Sequence, residues 1–178
     1  FRIEVIGVEN VPAEGKIIIC SNHVSMLDPI TVAISVPRRI YFMAKKELFE
    51  NKFLGSLLRT LGAFPVDREG ADLAAIRNSL KILKHEDALG LFPEGTRNRE
   101  ENIDNAKSGI AMISIKGKAP IIPIYVDTQY KLFRKTKVII GEGITSEEYF
   151  DQKLNMDNYK ELSRQVLTTI YRLKNNYN

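Results

Sequence analysis

A chain of 178 residues that is 44% hydrophobic and 27% charged has the size and balance of one domain with a sizeable buried core. No run of 18 apolar residues occurs, so nothing in it reads as a bilayer-spanning helix, and a single cysteine, Cys20, excludes an internal disulfide and fits a reducing compartment. Two histidines and one cysteine are too few for a structural zinc site, while a carboxylate-bound metal stays open.

In chain order, residues 1–8 alternate as a strand closed by Gly7 and a turn at 12–15. Ile17 to Cys20 reads as a short buried strand, and residues 29–36 as an apolar helix stopped by Pro37. A second buried strand is expected over 40–44, a broken basic amphipathic helical region over 45–61 ended by Gly62, and a short strand over 63–66 followed by Asp67 and Arg68. The spacing of Leu73, Ile76, Leu80 and Leu83 predicts a helix over 71–84 with those four on its core face, leaving His85 as a surface residue near its C-terminus. Further on come a strand over 88–92, a loop over 93–99, a helix over 109–116 and a strand over 120–126. Pro123 inside that strand argues for a strand end, an edge or a bulge. A strand over 138–140 and an amphipathic helix over 159–173 (Leu162, Val166, Ile170, Leu173) complete the chain. Strands alternating with helices predict an α/β sheet with helices on both faces.

The chain is organised around Asn22-His23 at the end of the Ile17–Cys20 strand and Asp28 just ahead of Pro29. Extended, His23 and Asp28 would lie roughly 17 Å apart. A strand-to-helix reversal would instead bring imidazole and carboxylate into hydrogen-bond reach, as a general base with its orienting acid. The same letters also read as ordinary helix-start chemistry, with Asp28 as a cap, Pro29 in the first turn and Ser25 with Asp28 as a capping box. A second cluster, Phe92-Pro93-Glu94-Gly95-Thr96-Arg97, suits a phosphate. Gly95 can take a positive φ and expose backbone N–H groups, and a guanidinium matches phosphate oxygens bidentately. A charged turn pairing Glu94 with Arg97 is the plainer alternative.

Between Arg38 and Arg59, six cations stand against Glu47 and Glu50, so this stretch carries as much excess charge as the whole chain, +4. Interleaved with Phe49, Phe53, Leu54, Leu57 and Leu58, they suit an anionic lipid surface or a solvated face over core residues; no nucleic-acid-binding signature occurs.

Asn22-His23 with Asp28, Phe64-Pro65-Val66-Asp67-Arg68, Phe92-Pro93-Glu94-Gly95-Thr96-Arg97 and Ala119-Pro120-Ile121-Ile122-Pro123-Ile124 stand in the order and spacing of the four blocks of the glycerolipid acyltransferase family. The chain resembles that family from about Gly7 to Gly143. The resemblance implies a single acyltransferase domain over 1–178 with a mixed, mostly parallel sheet, its blocks within about 17–126 and a C-terminal helix at about 156–175. It implies His23 as base and Asp28 as its partner, and Asn22, Lys45, Arg68, Glu94, Gly95, Thr96 and Arg97 as the substrate-binding set. The implied reaction moves a fatty acyl group from acyl-CoA or acyl carrier protein, as co-substrate and without a cofactor or metal, to a lysophosphatidic acid. The implied location is the cytoplasmic face of the cell membrane. Family members usually carry a membrane-associating segment ahead of the first block; because the chain begins at Phe1, that segment is expected to lie upstream of it. Another lysophospholipid or glycerol phosphate as acceptor, and a thioesterase-like hydrolase, are the alternatives. No Gly-x-Ser-x-Gly elbow occurs, which favours direct transfer over an acyl-enzyme.

Overall fold

The structure is a computed structural model and describes residues 2–66, 73–128, 130 and 135–176. Seven strands form one sheet: β1 (Arg2–Ile6), β2 (Ile17–Ser21), β3 (Ile40–Lys45), β4 (Phe64–Val66), β5 (Ala88–Leu91), β6 (Ile121–Asp127) and β7 (Lys135–Ile140). Their order is β1-β7-β6-β2-β5-β3-β4, and every neighbouring pair is parallel except β6 and β7. The helices are α1 (Asp28–Ser35), α2 (Lys52–Thr60), α3 (Leu73–Lys84), α4 (Gly109–Gly117) and α5 (Met156–Asn176).

β2 is buried at every position because both faces of the sheet are covered there, the usual state of a parallel strand. Ile18 and Cys20 pack into the core layer beneath α3, α4 and α5, with Leu83, Ile110, Leu167 and Ile170. Ile17 and Ile19 point the other way, toward Val32 of α1. Burying each such isoleucine contributes about 1.5–3 kcal/mol. Because β2, β3, β4, β5 and β6 run in one direction, the chain leaves all of them at the same edge of the sheet. That edge gathers the strand ends at Ser21, Lys45, Val66, Leu91 and Asp127.

Three expectations change in detail. The face of α3 is turned: Ala75, Ser79 and Leu83 are buried, Ile76 and Leu80 flank them, and Leu73 lies exposed. Small residues form the contact line because α3 lies close on its neighbours; the side chain of Leu83 fills the space beside Gly117 of α4. Pro123 sits in a central strand, between β2 and β7, so the edge reading fails and the bulge reading holds. Ile124 faces Ile140 while Ile121 bridges to Ile144, so one strand advances a residue further than the other across the proline that lacks an N–H. The basic region splits into a 3-10 turn over Lys46–Phe49 and α2, which Asn51 caps by accepting the Leu54 N–H at 3.0 Å.

The outer sides of α1 and α2 are apolar and exposed. Met26, Ile30 and Ile34 on and before α1, and Phe53, Leu57 and Leu61 on and after α2, all face solvent, with Phe53 83% accessible. Among the described residues no helix is long and apolar enough to cross a membrane.

Candidate active site

β2 ends where Asn22 imitates a strand residue. Its side-chain oxygen accepts the Val126 N–H at 2.7 Å and its amide donates to the Val126 carbonyl at 3.1 Å. Both ends of this amide are thus committed to the sheet, so the role it has in the structure is to pin the β2 exit to β6. His23 follows, 7% exposed, its ring stacked on Phe92 with centroids 4.1 Å apart. The His23 N–H donates to Glu94 Oε2 at 2.8 Å, and its carbonyl accepts the Asn98 N–H at 2.7 Å. The ring and both backbone groups of His23 are therefore held by the loop after β5.

Asp28, the first residue of α1, is fully buried, and its Oδ2 lies 2.9 Å from His23 Nδ1. The same oxygen accepts the Val24 and Ser25 N–H groups at 2.6 and 2.7 Å, while Ser25 Oγ accepts the Leu27 N–H at 3.2 Å. These bonds close the turn ahead of α1 and do not cap the helix, whose N-cap is Leu27 with no side-chain cap bond. The cap reading of Asp28 therefore fails, and its carboxylate instead holds the reversal that aims it back at the imidazole. Facing three N–H groups, Oδ2 can only accept, so Nδ1 carries the proton and Nε2 is left with a lone pair. On the other oxygen, the Tyr130 hydroxyl donates to Oδ1 at 2.5 Å and lies 3.1 Å from Thr31 Oγ1.

Glu94 is 2% exposed and points inward, with the Tyr171 hydroxyl of α5 donating to Oε1 at 2.9 Å and His23 N–H on Oε2. Burial pushes its carboxyl up to about 7, the Tyr171 and His23 donors oppose this, and the nearby charge of Asp28 adds to it. With both oxygens taken by protein donors, Glu94 supports His23 rather than lining the surface, and it makes no pair with Arg97. Beyond it the chain turns at Gly95, whose φ of +69° favours glycine and where an added Cβ would meet the Lys107 stem at 3.2 Å. The Gly95 N–H, expected to be open to a ligand, instead donates to the Phe92 carbonyl at 3.0 Å, as the second bond of the turn. Thr96 and Arg97 are exposed, and neither makes a hydrogen bond or ion pair among the described residues. Lys45 stands at the end of β3, half exposed, 3.2 Å from Glu47. Arg68 lies outside the described residues.

Sequence reasoning missed Tyr130 and Tyr171. Neither belongs to a motif, and their partners lie 102 and 77 positions away in the chain. Among the described residues no three His, Cys, Asp or Glu side chains gather as metal ligands would. The Cys20 thiol is buried and burial pushes its pKa far upward, so it is no nucleophile. Nothing but Asp28 bonds the His23 ring among the described residues.

An imidazole with one nitrogen fixed by a buried carboxylate and the other unclaimed, at the carboxyl edge of a parallel sheet, defines a general-base site that can take a proton from a hydroxyl group. The Acyltransferase family model matches residues 2–127. The 1-acyl-sn-glycerol-3-phosphate acyltransferase of Bacillus subtilis is 38% identical over 153 residues, covering 83% of this chain and 76% of that protein. Its Streptococcus pneumoniae counterpart is 31% identical over 161 residues, covering 88% and 60%. The crystal structure of the 1-acyl-sn-glycerophosphate acyltransferase of Thermotoga maritima shares the fold, with a TM-score of 0.70, 23% identity and coverage of 96% of this chain and 72% of that one. The chain belongs to the acyltransferase family.

Proposed function

We propose that this chain transfers a fatty acyl group from a thioester to the sn-2 hydroxyl of a 1-acylglycerol-3-phosphate, giving phosphatidic acid. The observation that carries the reading is the 2.9 Å bond between His23 Nδ1 and Asp28 Oδ2, which leaves Nε2 as base. Several relatives bear the name of this activity, which supports the acceptor assignment. In the reaction, the acceptor hydroxyl gives its proton to Nε2 as its oxygen attacks the thioester carbonyl, and Asp28 stabilises the imidazolium formed. The tetrahedral intermediate then collapses by breaking the C–S bond. The sulfur leaves with the bonding pair and takes the proton from the imidazolium, which returns His23 to its neutral form; a thiol with a pKa of about 8.5 in free solution departs with little acid assistance. Arg97 and Thr96, exposed and unclaimed beside His23, together with Arg68 and Lys45, are assigned to the acceptor phosphate.

The outward apolar sides of α1 and α2, with Lys45, Lys46, Lys52 and Arg59 nearby, support seating on an anionic membrane at its cytoplasmic face. The same cations would serve an acidic acyl carrier protein as donor. The deciding experiment is a matrix of labelled acyl-CoA and acyl carrier protein thioesters against lysophosphatidic acid, glycerol phosphate, another lysophospholipid and water, with products resolved. Phosphatidic acid as the dominant product supports the assignment. Free fatty acid alone would make the chain a hydrolase and overturn it.

A further inference from the structure

His23 does not stand on its own loop alone. Its N–H is held by Glu94 Oε2, and the other oxygen of Glu94 is held by Tyr171 from α5, a helix that lies wholly outside the family-matched residues 2–127. A buried carboxylate fixed at both oxygens cannot rotate about its terminal torsion. Without the tyrosine hydroxyl, Oε1 would be left unpaired at 2% exposure, and the group would protonate, swing or draw in water. Each of these slackens the bond to the His23 N–H.

The platform under Tyr171 is independently rigid. Val166, Leu167, Ile170 and Leu173 of α5 are core residues, Lys174 Nζ lies 2.7 Å from Glu101, and Arg164 lies 2.7 Å from Asp104. Those two ion pairs and the Tyr171 bond lace α5 to the segment that follows β5, but only the tyrosine reaches a group that touches His23.

The geometry points to Tyr171 as a positioning residue for acyl transfer: through Glu94 it fixes the backbone of His23, making the C-terminal helix part of the catalytic scaffold. This rests on the acyl-transfer reading above. Displacement of a catalytic group by about 1 Å can cost about 10²-fold in rate, which sets the scale of the effect.

The test is Tyr171→Phe in the full chain, which keeps the ring and its packing. The kcat for acyl transfer is expected to fall about 10- to 100-fold, with donor and acceptor KM both within about twofold of wild type. In a Glu94→Met background, which leaves no side-chain oxygen for either His23 or Tyr171, the same substitution should change kcat by less than about twofold, because its route is already cut. Lys174→Met, which removes a tie of α5 without touching Glu94, should lower Tm and keep kcat. Amide hydrogen exchange at His23, followed by NMR, should speed up about tenfold or more in Tyr171→Phe. Wild-type kcat in Tyr171→Phe, an undiminished loss in the Glu94→Met background, or unchanged protection of the His23 amide would each overturn the inference. If Glu94→Met does not fold, the single variant and the exchange rate still decide. Should the wild type form no ester from any thioester and acceptor, the functional reading fails separately, and the exchange measurement still judges the positioning.

Discussion

Replacing Asp28 by Asn separates a catalytic carboxylate from a purely structural acceptor. Oδ2 accepts from His23 Nδ1, Val24 N and Ser25 N, and Oδ1 from the Tyr130 hydroxyl. An asparagine can keep its carbonyl oxygen where the three N–H groups converge and offer its amide to Tyr130, whose hydroxyl oxygen accepts as well as donates. The turn ahead of α1 therefore survives, since its N–H groups still meet an oxygen acceptor. What is lost is charge. An imidazolium and a carboxylate with centres about 4 Å apart attract by about 4 kcal/mol at an effective dielectric of 20. That attraction exists only once His23 has taken the acceptor proton, so its loss falls on the transition state. At about 1.36 kcal/mol per decade, kcat should drop about 10³-fold, within the range of general-base contributions. Weaker neutral bonds to Val24 and Ser25 should cost about 1–2 kcal/mol of stability, a Tm shift of a few degrees. Initial rates of thiol release with both substrates varied, beside a melting curve, make the measurement. A kcat within about threefold of wild type would refute the reasoning and leave Asp28 as a structural acceptor for the turn alone.

Three other outcomes are expected, the one for Arg68 from the family resemblance alone. Arg97→Ala and Arg68→Ala should each raise the acceptor KM about 10- to 150-fold, the cost of a charge-assisted contact of about 1.5–3 kcal/mol, and leave the donor KM nearly unchanged; an unchanged acceptor KM in both would remove the phosphate assignment. Because Glu94 is raised to about 7 from 4.5, the folded chain holds a proton there that the unfolded chain has released. Its contribution therefore favours folding less as pH rises from about 5 to 8, and the Tm of wild type measured against Glu94→Gln should decline over that window; a difference independent of pH contradicts the burial argument. Binding to anionic vesicles should weaken with salt and weaken further in Phe53→Ser, whose side chain is 83% exposed, without loss of Tm. Equal binding to neutral and anionic vesicles at low salt would sink the electrostatic part.

What the sequence carried, and what it withheld, divides by the range of the interaction. Strand and helix positions, the strand-to-helix reversal at His23 and Asp28 and the positive φ of Gly95 are set within a few residues, and local letters contain them. The sheet order is not local. It places Val126 beside Asn22 and brings the end of β6 to the end of β2, where Tyr130 meets Asp28. Nothing near Tyr130 or Tyr171 in the sequence marks either as a partner of a buried acid. The same limit explains the turned face of α3, since spacing identifies a stripe of large residues but not which edge of it a neighbouring helix will cover with Ala75 and Ser79. It also bears on how a motif is read. Asn22 and Glu94 stand inside blocks that resemble substrate-binding sets, yet their polar atoms are engaged by Val126, His23 and Tyr171. A catalytic imidazole at the end of a strand needs its backbone, ring plane and tautomer fixed at once, and each constraint consumes a polar side chain. Part of any such block must therefore be spent on holding the base still, and Thr96 and Arg97, exposed and without a partner among the described residues, are the members we propose for the acceptor.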